Sequence, residues 1–363
     1  MVDPMFTSPP VPPRELTTET VHDWAIELGI DDLGVCLAEA YSRAEDAIDE
    51  RRARGLFADL KFTMARTATS CHPESLVQGA ASVISTALCY WAPDADPPDE
   101  DADRPHGRIG RYTRTDAYTA LTERLKTIAE HLRSLGHEAR VLVDSNDHVD
   151  REAAIRSGVG FSGKHTNVIT RRHGSWVVLG TIVTDAPLAP TAPMRPGCGS
   201  CTLCIDACPT DAIVDGGLVL DTTRCISYWG QSRHSVPTDI REAMGDLVYG
   251  CDICQEACPW NRGVESRRAN DAAQPWGVDL VEWLEAPAGR LDAQFERFFV
   301  PRRDVRYLRR NALIALGNSA VESNAALIAP FLGADDAMLR EHAAWALRRL
   351  GGPIAAAALA GQV

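Results

Sequence analysis

The sequence predicts an α+β protein built in three parts: an α/β domain, a cysteine-rich module and a helical C-terminal segment. Three observations predict this arrangement. Apolar stretches typical of strands alternate with amphipathic stretches typical of helices up to about residue 190. Eight of the eleven cysteines then lie between positions 198 and 258. Two similar helical phrases follow near the C-terminus.

The composition is that of an ordinary globular protein of two or three domains. The chain has 363 residues, of which 45% are hydrophobic and 24% are charged. No apolar run approaches the roughly 20 residues of a membrane span. The net charge of −13 disfavours broad, nonspecific binding of nucleic acid, although it leaves room for a local basic patch. We expect a cytoplasmic monomer without membrane association.

The N-terminus and the cysteine count bear on the cellular compartment. Residues 1–14 are predicted to be a disordered lead-in, because they are rich in proline and lack the basic start and apolar run of a signal peptide. Eleven cysteines in a large chain for which no signal peptide is predicted indicate metal binding rather than disulfides. We expect the three cysteines outside the two runs, Cys36, Cys71 and Cys89, to be small buried side chains.

Residues 15–190 are predicted to form the α/β domain. Thr18 is expected to cap a first helix that Gly29 ends, and Gly136 is expected to end a longer amphipathic helix. The segment 92–108, rich in proline and aspartate, is expected to be a surface loop. The predicted strands are 32–37, 81–91, 138–144 and 175–185, and the other predicted helices are 118–135 and 149–157.

The remaining chain divides at a proline-rich linker. Residues 186–196 contain four prolines and lead into the cysteine-rich module, which is predicted over 191–264. Residues 265–363 are predicted to be helical, with helices at 306–316 and 339–350. The phrases RRNALIALGNS and REHAAWALRRLG look like two copies of a HEAT-type repeat. Two helix pairs are too few for an independent solenoid, so this segment is expected to dock on the rest.

The cysteines form two runs with the spacing of bacterial ferredoxins, Cys198-x2-Cys201-x2-Cys204-x3-Cys208-Pro and Cys251-x2-Cys254-x3-Cys258-Pro. In that spacing the fourth cysteine of each run binds the other cluster. Cys225 takes the place of the missing first member of the second run. One predicted 4Fe-4S cluster therefore has the ligands Cys198, Cys201, Cys204 and Cys258. The other has the ligands Cys208, Cys225, Cys251 and Cys254.

Zinc is the alternative metal, because four thiolates also bind zinc well. Zinc sites come as two separated Cys-x2-Cys pairs, whereas here two Cys-x3-Cys-Pro endings interlock. The spacing therefore favours iron–sulfur clusters and a protein that moves single electrons.

Two further motifs each have a functional and a structural interpretation. Asp144 ends a predicted strand before a polar run, where it serves either as a catalytic group or, more commonly, in an Asx-type turn or helix cap. The stretch Gly158-x4-Gly163-Lys164 resembles a phosphate loop, but His165 stands where a magnesium-binding Ser or Thr belongs. A structural glycine turn is the default for this stretch.

A run of arginines is the best candidate for a nucleic-acid contact in a chain of net negative charge. A solvated helix face is the usual explanation of such a run. Its members are Arg297, Arg302, Arg303, Arg306, Arg309 and Arg310. Arg171, Arg172 and His173 form a smaller candidate.

Several phrases together resemble the epoxyqueuosine reductase family, which completes queuosine synthesis on tRNA. They are LGIDDLGV (28–35), VDS (143–145), SGVGFSGKHTNVI (157–169), CGSCTLCIDACPTDAI (198–213), DTTRCISYW (221–229) and YGCDICQEACPWNR (249–262). The family's Cys-Ile-Ser-Tyr phrase places Cys225 as the displaced ligand, in agreement with the spacing. The resemblance covers the chain from about Gly29 to Gly351.

The resemblance implies that residues 15–190 hold a cobalamin and the substrate, and that one of the two 4Fe-4S clusters lies near the cobalamin. It implies reduction of the epoxide of epoxyqueuosine at the tRNA wobble position, with Asp144 as the catalytic acid. The implied cofactor-binding residues are Gly158, Gly160, Gly163, Lys164, His165, Thr166, Asn167 and Ser227.

The implied partners are tRNA, recognised at its anticodon stem-loop, and an external low-potential electron donor such as ferredoxin or flavodoxin. We expect Arg302, Arg303, Arg306, Arg309 and Arg310 to contact the tRNA.

The chain departs from the family pattern at residues 110–119. The family usually carries an ARYAWGRDYH-type phrase, and this chain has GRYTRTDAYT, which retains Arg111, Tyr112 and Tyr118. Two other functions stay open at this stage. One is a related, dehalogenase-like cobalamin and iron–sulfur reductase of a small molecule. The other is an iron–sulfur electron carrier, although a carrier would not need the large domain that precedes the cysteines.

Overall fold

The structure is a computed structural model that describes residues 16–96, 103–291 and 298–361. The predicted lead-in of residues 1–14 lies outside the described residues. The strands are β1 (Asp32–Leu37), β2 (Ser82–Cys89), β3 (Asp94–Ala95), β4 (His106–Ile109), β5 (Ala139–Val143), β6 (Gly160–Ser162), β7 (Val168–Thr170), β8 (Val177–Thr184), β9 (Ile213–Val214), β10 (Val219–Leu220), β11 (Leu247–Tyr249), β12 (Gln274–Pro275) and β13 (Gly277–Asp279).

The α-helices in the same ranges are α1 (Thr18–Glu27), α2 (Ser42–Ala53), α3 (Thr67–Ser70), α4 (Ala117–Ser134), α5 (Asp150–Arg156), α6 (Leu203–Asp206), α7 (Ile226–Gln231), α8 (Thr238–Met244), α9 (Ile253–Glu256), α10 (Pro259–Arg268), α11 (Leu280–Glu285), α12 (Arg306–Asn318), α13 (Ala325–Ile328), α14 (Ala337–Leu350) and α15 (Gly352–Ala360).

An antiparallel four-stranded sheet in the order β1-β2-β8-β5 is the centre of the N-terminal part. Helices α1 and α4 pack on one face, around Ile84 and Ile182. Helix α5 packs on the other face, near Val83 and Val183. Since both faces are covered, every residue of β2 is buried, including the polar Ser82, Ser85 and Thr86.

The predicted elements of this part agree with the observed ones to within a few residues, and two local predictions were wrong. Thr17 caps α1 instead of Thr18, because the Thr17 hydroxyl accepts the backbone N–H of Thr20 at 3.2 Å. The predicted surface loop at 92–108 contains β3 and β4. These strands pair with β12 and with β11 and β13, which lie far along the chain, so local composition gave no sign of them.

Asn261, at the start of α10, joins the cysteine-rich module to the N-terminal sheet. The Asn261 side chain is fully buried; its Oδ1 accepts the backbone N–H of Ser175 at 2.7 Å, and its Nδ2 donates to the Gln255 carbonyl at 2.7 Å. Gly174 lies against it with φ +55°, and a Cβ on Gly174 would meet Asn261 Oδ1 at 2.0 Å. Glycine is therefore required at 174 by both conformation and space.

Arg310 and Asn311, on α12, join the C-terminal helices to the module. The Arg310 guanidinium is fully buried and donates to the carbonyls of Trp229, Ser232 and His234 at 2.6–2.9 Å. The Asn311 amide donates to the carbonyls of Gly230 and Val248 at 2.7 and 2.8 Å. The C-terminal segment thus docks on the rest, as the sequence predicted.

The same contacts correct one prediction, because Arg310 was expected to bind tRNA. A fully buried guanidinium that already serves three carbonyls has no free face for a phosphate. Burial also lowers the pKa of Arg310, to about 9.

Helices α12 and α14 pack closely in the C-terminal segment. A Cβ on Gly317 would meet the Cα of Ala346 at 2.8 Å, so the two helices approach to backbone distance at that point. Among the described residues, no helix combines the length and the apolar character that crossing a bilayer requires.

We expect Asn311→Ala to lower the free energy of unfolding by about 2–4 kcal/mol, because it leaves two buried carbonyls without their donor. Denaturant unfolding followed by circular dichroism measures the change. Asn270→Ala, at an exposed position on the surface, is the control and should stay within about 0.5 kcal/mol of wild type. Equal stability of the two variants would contradict the structural role of Asn311.

Candidate functional site

Four cysteines from the two runs surround one cavity, and we call them the first cysteine group: Cys198, Cys201, Cys204 and Cys258. The cavity has a volume of about 170 Å³ and is also lined by Lys164, His165 and Trp260. Cys258 is the residue before α10, and Pro259 occupies the first helical position, which suits proline because its missing N–H is not needed there. Three thiols of one run thus meet the last thiol of the other.

The other four form the second cysteine group: Cys208, Cys225, Cys251 and Cys254. Their thiols lie close enough to influence one another electrostatically. Burial is the main cause that raises the pKa of Cys251 to about 12 and the pKa of Cys254 well above its ordinary value, and the neighbouring thiols of the group add to both shifts. All eight thiols are free of disulfides, and their division into two sets of cluster ligands stays a prediction.

Asp144 directly follows β5 and has a left-handed backbone conformation, with φ +48°. Its side chain is exposed, yet the surrounding protein withdraws enough water to raise the pKa of its carboxyl, and the nearby Asp150 carboxylate is a second, smaller cause. Both groups also raise the pKa of Tyr118, after burial, and Asp144 adds to the raised pKa of Tyr249. Asp144, Asp150, Tyr118 and Tyr249 therefore form one acidic and aromatic cluster, which we call the Asp144 cluster.

The Asp144 cluster lies next to the second cysteine group. Tyr249 ends β11, and Cys251 follows two residues later. Between them Gly250 has φ +72°, and a Cβ there would meet the ring of Tyr112 at 3.0 Å. The backbone before Cys251 therefore packs directly against the Tyr112 ring.

Ser227, predicted to bind a cofactor, lies on α7 two residues after Cys225. Gln231 donates to the Ser227 hydroxyl at 3.4 Å and to the Tyr112 hydroxyl at 3.2 Å. Ser227 is therefore linked to the tyrosines beside the second cysteine group.

Strands β6 and β7 form a hairpin that carries the predicted glycine loop. Gly160 and Gly163 pack against the opposite strand, where added Cβ atoms would meet Ile169 at 2.6 and 2.7 Å. The Lys164 ammonium donates to the Cys201 carbonyl at 2.9 Å. His165 also lines the cavity of the first cysteine group. The structure thus places Lys164 and His165 beside these thiols, whereas the resemblance implied the corrin or the substrate as their neighbour.

His165 is a neutral donor in this position. Its Nδ1 accepts the backbone N–H of Asn167 at 3.3 Å, which leaves the proton on Nε2. Burial lowers the pKa of His165 to about 4, and the buried Nε2 has no partner within the described part of the chain. An N–H of this kind is available to a sulfur atom of a cluster in the cavity.

The last two residues of the loop, Thr166 and Asn167, contact different parts of the protein. Thr166 has φ +69°, and its carbonyl accepts from Arg151 at 3.4 Å. Asn167 donates to Gln255 at 3.0 Å, and Gln255 donates to the Tyr90 hydroxyl at 3.1 Å. Asn167 therefore contacts α9, between the cysteines of the second run.

The C-terminal arginines have different surroundings. Arg302 and Arg303 are exposed, and Arg306 is exposed but paired with Asp304 and Asp336. Arg309 is half-buried and donates to the Ala286 carbonyl at 3.1 Å. Arg310 is buried, as described above, and Arg297 lies outside the described residues. The exposed members of the run are thus Arg302, Arg303 and Arg306.

Sequence patterns did not reveal several residues of the site. Asp150 looked like an ordinary residue of a predicted helix, and Tyr249 and Gln255 looked like parts of the cysteine phrases. Each became recognisable only through contacts between distant parts of the chain. The phrase that follows Cys258 also contains Asn261, whose role depends on the fold.

Comparisons with known proteins agree with this geometry. The family model described as a 4Fe-4S double cluster binding domain matches residues 197–261, and the model described as Epoxyqueuosine reductase QueG, DUF1730 matches residues 71–145. The epoxyqueuosine reductase of Alicycliphilus denitrificans is 36% identical over 90% of this chain and 96% of its own length. That of Vibrio cholerae is 32% identical over 90% of both chains.

Solved structures of the same enzyme share the fold over nearly the whole chain. The structure from Bacillus subtilis has a TM-score of 0.82 at 28% identity and covers 94% of this chain and 92% of its own. An epoxyqueuosine reductase with an epoxyqueuosine-modified tRNA-Tyr stem loop has a TM-score of 0.81 at 27% identity, with the same coverage. By the identity and coverage of its relatives, this chain belongs to the epoxyqueuosine reductase family.

Proposed function

We propose that this protein reduces epoxyqueuosine to queuosine at the wobble position of tRNA, the last step of queuosine biosynthesis. The observation that carries the proposal is the position of the Asp144 cluster beside the second cysteine group, in a chain of this family. A relative of the same fold holds an epoxyqueuosine-modified tRNA stem loop. That complex favours a tRNA substrate over a small molecule and over a role as a simple electron carrier.

The two cysteine groups suit two 4Fe-4S clusters. Each supplies four free thiols, which is the usual ligand number of such a cluster. The burial that raises the pKa of Cys251 and Cys254 disfavours their thiolates, and bound iron would supply the positive charge that holds them deprotonated. Cluster binding and folding of the module are therefore coupled.

The Asp144 cluster suits the cobalamin that the family implies. Its carboxyl and hydroxyl groups come from α4, α5, β11 and the residue after β5, and they lie close enough to shift one another's pKa values. Asp144, Tyr118 and Tyr249 would line the cofactor from the N-terminal part, and Ser227 would contribute from the module. Cobalamin supplies a strongly reducing metal centre, which no side chain can imitate.

Asp144 is the proton donor for the departing oxygen. Conversion of the epoxide to an alkene takes up two electrons and two protons and releases water. A raised pKa keeps the Asp144 carboxyl protonated to higher pH than an ordinary aspartate, so that it can donate to that oxygen. In the Bacillus subtilis relative, a catalytic aspartate loop has been seen swung out of the active site. The exposed position of Asp144 after β5 is compatible with such a movement.

The electrons come from an external low-potential carrier, such as ferredoxin or flavodoxin. The first cysteine group lines a cavity beside the exposed Trp260, whereas the second lies next to the Asp144 cluster. Electrons therefore enter through the first cluster and continue through the second.

The three parts of the chain have separate roles in this proposal. Residues 15–190 bind cobalamin and the substrate base, residues 191–264 hold the clusters, and the HEAT-like residues 265–363 contact the anticodon stem-loop. Within the arginine run, Arg302 and Arg303 are exposed cations for tRNA phosphates, and Arg306 is exposed but already paired with Asp304 and Asp336. A tRNA substrate would place the protein in the cytoplasm, and a monomer suffices for these roles.

We expect Asp144→Asn to retain iron and cobalamin and to convert epoxyqueuosine at least about 100-fold more slowly, because the amide has no acidic proton to give. Mass spectrometry of nucleosides from the digested tRNA measures the conversion, with a chemical reductant in excess. Wild-type rates in this variant would remove Asp144 as the acid.

Asp150→Asn is the matched control and changes the pH dependence in a defined direction. The acid form of Asp144 acts, so its rate is lost as pH rises through the pKa of Asp144. Removal of the Asp150 carboxylate lowers that pKa, and the loss of rate should move to lower pH. If the loss of rate stays at the same pH or moves to higher pH in Asp150→Asn, the electrostatic effect of Asp150 on Asp144 is contradicted.

We expect Cys225→Ala to reduce the iron content after anaerobic reconstitution from roughly eight to roughly four atoms per chain, since one of two clusters loses a ligand. Iron and sulfide assays with electron paramagnetic resonance measure the loss. Cys89→Ala, which removes a buried thiol outside both groups, should keep full iron. Two intact clusters in Cys225→Ala would show that the second group is assigned wrongly.

We expect joint replacement of Arg302, Arg303 and Arg306 by alanine to weaken tRNA binding and to reduce its salt dependence by about one unit of slope per lost phosphate contact. Binding of the tRNA stem-loop at several salt concentrations measures both effects. Arg348→Ala on α14 is the control at another exposed position. Unchanged affinity in the triple variant would remove this surface from the tRNA interface.

A further inference from the structure

A second cleft, with a volume of about 570 Å³, opens beside the first cysteine group. Arg171 and Arg172 come from the turn after β7, and Arg195 comes from the proline-rich linker. All three are exposed, and within the described ranges none of them is paired with a carboxylate. We call this surface, with Trp260, the arginine cleft.

The backbone shapes one wall of the cleft. Gly158 has φ +74°, and a Cβ there would meet the carbonyl oxygen of Ala192 at 2.1 Å, so the hairpin and the linker touch at this point. Asp32 also lines the cleft, but His173 lies 3.0 Å from its carboxylate. Arg267 of α10 donates to the carbonyl of Arg172 and adds a further cation at the rim. Positive charge is therefore concentrated here, in a chain whose net charge is −13.

Trp260 connects the cleft to the first cysteine group. It lines both the cleft and the cavity of that group, and it follows the ligand Cys258 by two residues. It remains 37% exposed, with one ring edge against Phe161 at a centroid distance of 5.2 Å. A molecule in the cleft would thus be separated from the cluster cavity by a single aromatic side chain.

Position and charge together indicate the kind of partner. Electron transfer falls steeply with distance, so a protein donor must dock near the cluster that it reduces. Because the chain has a net negative charge, most of its surface repels an acidic protein. The unpaired arginines of the cleft attract such a protein and orient it there. A surface that combines a basic rim with an exposed aromatic centre is suited to a transient protein interface.

We propose that the arginine cleft is the docking site of an acidic one-electron carrier protein, which reduces the first cluster through the Trp260 side. The inference rests on the proposed function, because it assumes that the first cysteine group holds a 4Fe-4S cluster. Each docking oxidises one reduced carrier by one electron and reduces the cluster by one electron. Two such events supply the two electrons that one epoxide consumes.

The test measures cluster reduction without tRNA, so that it does not depend on the substrate. The reconstituted protein is mixed anaerobically with reduced flavodoxin in a stopped-flow instrument, and bleaching of the clusters is followed at several salt concentrations. We expect Arg171→Glu with Arg172→Glu to lower the second-order rate constant at low salt by at least about tenfold and to flatten its salt dependence. Reduction by dithionite, which needs no protein docking, should keep its wild-type rate.

The matched control is Arg348→Glu with Arg349→Glu on α14. It changes the net charge by the same amount as the cleft variant, at exposed positions that do not line the cleft. Equal slowing in both double variants would show an effect of net charge alone and would overturn the docking site. An unchanged rate with flavodoxin in the cleft variant would also overturn it. A loss of tRNA affinity without slower flavodoxin reduction would assign the cleft to tRNA instead.

These outcomes are separable from failure of the proposed function. A wild-type protein that is reduced by flavodoxin but does not convert epoxyqueuosine would disprove the substrate and leave the docking site intact. The opposite pattern would disprove the docking site alone. In that case the protein converts epoxyqueuosine normally with dithionite, and flavodoxin reduces the cleft variant at the wild-type rate.

Discussion

The constraint on which the rest of the structure depends is that eight thiols from two separate runs must meet as two mixed groups of four. Cys258 of the second run joins the first group, and Cys208 of the first run joins the second. The segment between them therefore has to fold back on itself. The other parts are attached to this folded segment through buried polar side chains: Asn261 binds the N-terminal sheet, and Arg310 with Asn311 binds the C-terminal helices.

Burial gives the Asp144 cluster and the surface beside the first cysteine group different properties. Near the Asp144 cluster, loss of water and neighbouring carboxylates raise the pKa values of Asp144, Tyr118 and Tyr249, which favours protonated groups where a proton must be delivered. Near the first cysteine group, the exposed Trp260 and the arginine cleft leave the surface accessible. In the proposed function, the Asp144 cluster is suited to proton transfer, and the surface beside the first cysteine group is suited to contact with a partner.

Local sequence signals predicted those features that depend only on residues close together in the sequence. The crossed cysteine sets followed from the ferredoxin spacing, and the position of Asp144 at a strand end followed from the apolar run before it. The family resemblance then connected Asp144 with catalysis. The arginine run shows the limit of such signals, because a charge pattern does not reveal that Arg310 faces carbonyls of the module while Arg302 faces solvent.

Other features depend on distant parts of the chain and had no local signal. Strand β4 is bounded by residues typical of a loop, and it exists because β11 and β13 supply its partners. Lys164 and His165 resemble a ligand loop in sequence, and the hairpin directs both toward the thiols of the first group. The arginine cleft combines the β7 turn, the linker and α10, which are separate in sequence.

The most direct measurement is turnover by the wild-type protein, reconstituted anaerobically with iron, sulfide and cobalamin, on tRNA that carries epoxyqueuosine. With a strong chemical reductant, the family membership and the geometry of the site predict conversion to queuosine. Full cofactor loading without any conversion would contradict the proposed function and would indicate that the altered segment 110–119 serves a different substrate.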